Sequence, residues 1–415
     1  MRAETLDILR CPYCGGRLEL VTSSYHRRDA DEIHDGILGC HCCVFPVVAG
    51  IPVLHLQPGT STAREQVEAG QPDRALRTLF GLEDDGQAAR FEALAASDTA
   101  TYRELVEALG LTFEGGYFLY RFSDPTYVVA HAVVGAVART ALGDGGRAID
   151  LCGGSGHLTR SLLDLSSPPP VLADLYFPKI WLARRFMAPG CEPVCCDGNA
   201  PLPFARGVFR YAMCSDAFMF IWTKRQFVSE MVRLIDDGDA GVVVINNTHN
   251  QRVWCPSHGQ PLPPEGYRDL FETLEPRLFG EVGLLADVVK GGPLDLARQD
   301  SPETLDADPA LTIVASRRTD LFAPHRLAPP PSDARGEFRV NPLYVIETDA
   351  DPVEFRLHFP SKDYEQEYAA CRQYLPDHAA IDRASLTALT TGRLPSHLLD
   401  LLRRRVIVDL PKHYY

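Results

Sequence analysis

Short apolar runs that end on an acid, a hydroxyl or an amide recur through the middle of the chain. They are Ala148-Ile149-Asp150-Leu151, Val171-Leu172-Ala173 before Asp174, Val194-Cys195-Cys196 before Asp197, Tyr211-Ala212-Met213-Cys214 before Ser215-Asp216, and Val242-Val243-Val244-Ile245 before Asn246-Asn247. Runs of this length without polar alternation read as strands of a parallel sheet covered on both faces. Between them the pattern turns helical, and the apolar stretch from Tyr127 to Leu142, interrupted by His131 and Arg139, reads as a buried helix. It is shorter than the roughly 20 residues a membrane span needs.

Ahead of this region, helical periodicity runs through Leu76, Leu79, Phe80, Phe91 and Leu94, followed by an aromatic segment from Gly116 to Tyr127. Behind it come a last apolar strand, Leu311–Ala315, and a proline-rich stretch, 323–332, that reads as an extended linker. Strand-like runs at Phe338–Ile346 and Val353–Phe359 and helices near Tyr364–Tyr374 and Leu394–Leu402 follow. The expected division is 1–56, a helical linker and cap at 57–125, an α/β domain at 126–320, a linker at 321–335 and an α+β extension at 336–415. That extension carries no catalytic motif, and a lid, a partner module and a homodimer surface all remain open for it.

The chain has 415 residues, is 45% hydrophobic, and sets 41 Lys+Arg against 55 Asp+Glu, a formal charge of −14. Such a composition is globular, and the acidic balance argues against a nucleic-acid partner, which calls for a basic stripe. No membrane association is expected. The start of the chain lacks the pattern of a secretory signal, so a cytoplasmic location is expected. Twelve cysteines in that setting point to metal or reduced thiols rather than a disulfide framework.

Cys11-Pro12-Tyr13-Cys14 and Cys40-His41-Cys42-Cys43 form two closely spaced thiol groups separated by a β-rich interval. Four thiolates suit tetrahedral zinc, and so short a segment needs the metal for stability. Cys11, Cys14, Cys40 and Cys43 are the expected ligands, with Cys42 an alternative fourth. The pattern Leu6–Gly16, then Phe45-Pro46-Val47 and Gly50–Leu54, resembles the zinc-ribbon activator subunits of tRNA, ribosomal and release-factor methyltransferases. A closed four-sulfur site is structural.

Arg147–Thr159 reads as strand, glycine turn, helix, with Gly153-Gly154-Ser155-Gly156 letting backbone approach a nucleotide more closely than a Cβ would allow. Asp174 follows at the interval where an acid can meet ribose hydroxyls. The sequence lacks the G-x-G-x-x-G that a dehydrogenase would carry. The order of motifs over about 110–320 resembles class I S-adenosylmethionine-dependent methyltransferases, departing at Cys152, where glycine is usual. The expected fold is therefore α/β: a doubly wound, Rossmann-like methyltransferase sheet with an N-terminal zinc ribbon and a C-terminal α+β extension.

The resemblance implies S-adenosylmethionine as cofactor. Asp150, Gly153, Gly154, Ser155 and Gly156 would hold its methionine part, Asp174 its ribose, and Asp197 with Gly198 its adenine; Ser215 is a further cofactor contact. Asp216 and Phe218 would stand near the reacting centre. In the loop after the fifth strand, His249 and His258 are candidates for proton acceptor, while Asn250, Arg252 and Trp254, with Tyr120 from the aromatic segment, are candidate substrate contacts. Ser215-Asp216-Ala217-Phe218 replaces the Asn-Pro-Pro-Tyr-like element of enzymes that methylate adenine or glutamine amides, and resembles small-molecule enzymes. The expected acceptor is a small molecule methylated at oxygen or nitrogen in specialised metabolism. RNA or protein, docked through the ribbon, and a non-catalytic binding protein with a degenerate site are the alternatives.

Overall fold

The computed structural model describes residues 1–111, 115, 117–235, 240–329 and 331–415. Gly116 of the aromatic segment and Pro330 of the expected linker lie outside them. Seven strands form the central sheet: β1 (Ala148–Leu151), β2 (Val171–Asp174), β3 (Glu192–Cys195), β4 (Tyr211–Ser215), β5 (Val242–His249), β6 (Pro276–Gly280) and β7 (Ala310–Ser316). Their order is β6-β7-β5-β4-β1-β2-β3. Strands β1 to β5 run parallel, and β7 is antiparallel to both β5 and β6. The order reverses between β1 and β4; in open parallel sheets the crevice at such a reversal, outside the carboxyl ends of the strands, is where ligands bind.

The unbroken apolar runs have their physical reason in this position, since every residue of β1, β2, β3 and β5 is buried. One face is covered by α1 (Pro125–Ala141), whose start is fixed by Pro125 and by Asp124 accepting from the Tyr127 amide at 2.7 Å. Its Val129, Val133 and Val137 are essentially inaccessible, each worth roughly 1.5–3 kcal/mol of burial. The other face is covered by α2 (Lys224–Leu234) through Phe227, Val228, Met231 and Leu234.

The N-terminal segment folds as an antiparallel sheet around Ile33–Gly39 and Val44–Val48. It continues the main sheet at its edge: Val53 bridges Cys195 in parallel, and the Leu54 amide donates to the Cys195 carbonyl at 2.7 Å. Leu9, Phe45 and Leu54 share one core with Val194 and Cys196, so the ribbon protects edge strand β3 from unpaired exposure. It also lies beside the Asp197 turn.

Four helices, Pro58–Glu68, Pro72–Phe80, Asp85–Ala95 and Tyr102–Ala108, precede the aromatic segment. At the other end of the chain, Tyr344–Thr348, Val353–Leu357 and His378–Ile381 make a small antiparallel sheet, while Glu337–Val340 pairs with Ile407–Leu410. The single run expected over Phe338–Ile346 is two strands. Buried Asn341 turns the chain between them, donating to the Arg405 carbonyl at 2.7 Å and accepting from the Leu343 amide at 2.9 Å. The helix expected at Tyr364–Tyr374 is Lys362–Glu367 followed by a 3-10 turn. Among the described residues, no helix is long and apolar enough to cross a membrane.

Candidate active site

The chain leaves β1 through a turn that ordinary side chains could not fill. A Cβ on Gly153 would lie 2.5 Å from Leu172 Cδ1 and 2.6 Å from the Asp150 carboxylate, and one on Gly156 would lie 2.9 Å from Ala183. Gly154, at φ +54°, has no atom within 4 Å of where its Cβ would stand, so this backbone faces open space. Cys152 adopts φ 58°, a left-handed conformation that costs a non-glycine residue energy. That is the physical content of the departure noted at this position.

The acids are held by the turn itself. Asp174 accepts from the Gly154 amide and the Tyr176 amide, both at 2.9 Å, which ties the end of β2 to the glycine turn. Asp150 accepts from Thr159 Oγ1 at 2.6 Å, and burial, with Asp174 nearby, pushes its pKa up to about 7. Asp197 accepts from the Asn199 amide at 2.8 Å. Three buried polar atoms at this edge lack any protein partner: Asp150 Oδ1, Ser155 Oγ and Ser215 Oγ. Orphaned groups of this kind are costly unless a ligand satisfies them. Together with the open backbone at Gly154, they leave unsatisfied polar groups for a ligand at the ends of β1 and β4.

A second group of side chains surrounds Asp216, which leaves β4 at φ 54°. Its carboxylate accepts from Arg121 at 2.5 Å and from Asn247 Nδ2 at 2.6 Å. Burial opposes charge on Arg121, but Asp124 and Asp216 hold it firmly protonated. His249, at the end of β5, is buried and its pKa is lowered by desolvation. Its Nδ1 lies 3.3 Å from the His258 carbonyl and 3.2 Å from Cys255 Sγ. The carbonyl can only accept, so Nδ1 carries the proton and Nε2 keeps a basic lone pair. Burial raises the Cys255 thiol to about 11, which keeps it protonated. From the C-terminal extension, Glu367 accepts from Ser257 of the same loop and meets the Tyr117 hydroxyl.

Two substrate contacts expected from the sequence, Phe218 and Asn250, are corrected by their positions. Phe218 is fully buried against Phe227 and Tyr267 and belongs to the core. Asn250 is structural: its amide donates to the carbonyls of Leu305, Asp306 and Asp308 at 2.9, 3.2 and 2.9 Å. Arg252 pairs with Glu265 and Asp306 and Trp254 is 68% exposed; these two stay proposed acceptor contacts. Tyr120 stands by Tyr364, ring centroids 5.8 Å apart. Arg121, Asn247 and Glu367 were not anticipated. A lone arginine within an aromatic segment was a readable signal for the first; Glu367 gave none, because its place depends on how the C-terminal extension folds back.

In the ribbon, the ligand atoms of Cys11, Cys14, Cys40 and Cys42 lie within 4.8 Å of one another. The four-sulfur group has Cys42 as its fourth member in place of the expected Cys43, whose Sγ lies 3.4 Å from that of Cys42. Sulfur separations of 3.6 Å for Cys11–Cys42, 3.7 Å for Cys14–Cys40 and 3.6 Å for Cys40–Cys42 approach the edge of about 3.8 Å that a tetrahedron of 2.3 Å zinc–sulfur bonds requires. The Cys42 and Cys43 amides both reach Cys40 Sγ at 3.4 Å, as donors that offset thiolate charge.

No family model matches the chain, and no curated protein matches it. Similar solved structures include the sugar N-methyltransferase KedS8 of Streptoalloteichus, 14% identical, covering 46% of this chain and 88% of its own, with TM-score 0.34. Another is the 1,6-didemethyltoxoflavin-N1-methyltransferase of Burkholderia thailandensis, at 15% identity, 45% and 77% coverage and TM-score 0.32. A chain of the complex containing the Haloferax volcanii Trm112 methyltransferase activator matches at 19% identity, 46% and 90% coverage and TM-score 0.32. The likeness is faint. What these proteins act on does not pass to this chain, and the functional reading rests on its own residues.

A cleft of about 830 Å³ opens elsewhere, lined by Glu32, Arg160, Arg184, Arg185, Arg335 and Lys412 among others. Its arginines are engaged: Arg184 with Glu32, Arg335 with Asp164, Arg160 with Asp409, and Arg185 with the carbonyls of Ala95 and Ser97. It is a seam between the ribbon, the cap and the C-terminal segment.

Proposed function

We propose that this protein is an S-adenosylmethionine-dependent methyltransferase that modifies a small molecule at oxygen or nitrogen, with a structural zinc ion held by Cys11, Cys14, Cys40 and Cys42. The observation that carries this reading is the convergence of Asp150, Ser155 and Ser215, each with an unsatisfied buried polar atom, around an open glycine turn tied to Asp174. When bound, the cofactor supplies an electrophilic methyl group on a sulfonium.

The chain's residues would bind, orient and shield. Asp150 and the glycine turn hold the methionine end, Asp174 meets the ribose hydroxyls, and Asp197 with Gly198 receives the base. Methyl transfer depends on in-line placement and on electrostatics suited to a vanishing positive charge. The Asp216–Arg121–Asn247 group fixes carboxylate charge beside the crevice. His249, neutral with a free Nε2, is the group able to take a proton from a hydroxyl or ammonium acceptor. The small-molecule acceptor is favoured over RNA by the charge of −14 and by the paired arginines of the cleft. Calorimetric titration with S-adenosylmethionine tests the reading: saturable binding at one site per chain is expected, and absence of binding by folded, zinc-loaded protein contradicts it.

A further inference from the structure

His157 directly follows the glycine turn and is enclosed. It is 5% exposed, and the rings of Tyr102, Phe118, Phe122 and Tyr414 surround it at centroid distances of 6.1, 6.1, 5.1 and 6.2 Å. Desolvation lowers its pKa to about 3, so the imidazole is neutral. Tyr414 is 1% exposed and stacks on Tyr102 at 5.0 Å. Its hydroxyl lies 2.6 Å from the Phe118 carbonyl and 3.0 Å from His157 Nε2. A hydroxyl has one proton and a carbonyl can only accept, so Tyr414 donates to Phe118 and accepts from His157 Nε2–H. One relay therefore joins the C-terminal segment, the glycine turn and the aromatic segment.

A second tie lies three residues further along. Arg160 donates to the Asp409 carbonyl at 2.9 Å, and Arg335 donates to the Arg160 carbonyl at 3.4 Å. The segment is itself anchored, because the Tyr102 and Arg103 amides donate to the carbonyls of His413 and Tyr414 at 2.8 and 3.2 Å. A turn containing Gly153, Gly154 and Gly156 has almost no side chains with which to hold its own shape. Backbone bonds (Gly156 N–H to the Gly153 carbonyl at 2.9 Å, Gly153 N–H to the Ala173 carbonyl at 3.3 Å) and Asp174 shape it from within, and the grip on its flanks adds to these.

We propose that Asp409–Tyr414 is a clamp on the cofactor turn, with Tyr414 as a positioning residue that acts through His157 to set affinity for the adenosyl donor. The inference rests on the methyltransferase reading for the identity of the ligand, but the clamp itself is a statement about the turn. It makes the C-terminal extension part of the donor site and not an appended module.

The test compares Tyr414→Phe with Tyr415→Phe in the full chain, reading S-adenosylmethionine affinity, amide hydrogen exchange and thermal midpoint. Tyr415 stacks near Tyr414 but bonds the Leu119 carbonyl and not His157. Tyr414→Phe keeps the ring and is expected to weaken donor binding about fivefold or more and to speed exchange at Gly153–His157, with the exchange of β5 and the zinc content unchanged. Tyr415→Phe is expected to match the wild type. Unaltered affinity and exchange in Tyr414→Phe, or equal losses in both variants, overturn the clamp. Should the wild type bind no donor, the methyltransferase reading falls, and exchange at the turn decides the clamp alone: faster in Tyr414→Phe supports it, unchanged overturns it.

Discussion

Arg121 and Asp216 are separated by the whole first half of the sheet in sequence, yet their side chains meet at 2.5 Å where the chain leaves β4. Arg121 also reaches Asp124, the cap of α1, at 3.4 Å, so one guanidinium balances two carboxylates. Arg121→Met should destabilise the protein by about 3–5 kcal/mol, since removing one partner of a buried ion group leaves the others uncompensated. Denaturant unfolding measures it, and a change below about 1 kcal/mol would show that solvent already screens the group.

Asp174→Ala removes the acceptor for the Gly154 and Tyr176 amides as well as the expected ribose contact. Donor affinity should fall by about 1–3 kcal/mol, or roughly 5- to 150-fold. Calorimetry checks this, and an unchanged dissociation constant would detach Asp174 from the site.

The sheet was legible because five strands are buried on both faces and end on polar residues. The ring of candidate cofactor residues from Asp150 to Ser215 follows from that pattern, since strand ends converge by topology. The acceptor side was less legible. Phe218 follows the fourth strand and Asn250 the fifth, but proximity along a loop does not determine which way a side chain turns. Asn250 carries three backbone carbonyls, and Phe218 fills the core. Glu367 and Tyr414 come from a segment without motif, and their roles exist only after long-range docking. Cys42 and Cys43 are neighbours that only backbone geometry could separate.

The cysteine assignment has a direct test. Zinc content, measured by mass spectrometry on purified protein, should be lost in Cys42→Ala and retained near one per chain in Cys43→Ala. The reverse pattern would restore Cys43 as the ligand. Because the ribbon covers β3 through Leu54 and Cys195, chelation should also lower the thermal midpoint of the whole chain and not melt the ribbon alone.

Asp150 predicts a pH dependence. With its pKa raised to about 7, the carboxylate ionises across the neutral range, and only the ionised form pairs with the cationic methionine end of the donor. Affinity should rise about tenfold between pH 6 and pH 8, and Asp150→Asn should flatten the profile. In the unliganded protein the sign is opposite. The folded value lies above the ordinary 3.8, so the group's stabilising contribution is intact below about 4 and is lost as pH rises through about 7. A flat affinity profile in the wild type would show that Asp150 does not meet the charged end.

A crystal structure with S-adenosylhomocysteine reaches the centre of the account. The product is expected along the crevice between β1 and β4, its ribose at Asp174 and its amino-acid end against Asp150 and Gly154, with Ser155 and Ser215 no longer orphaned. A crevice closed by protein side chains at saturating ligand, or density bound anywhere else, would contradict it.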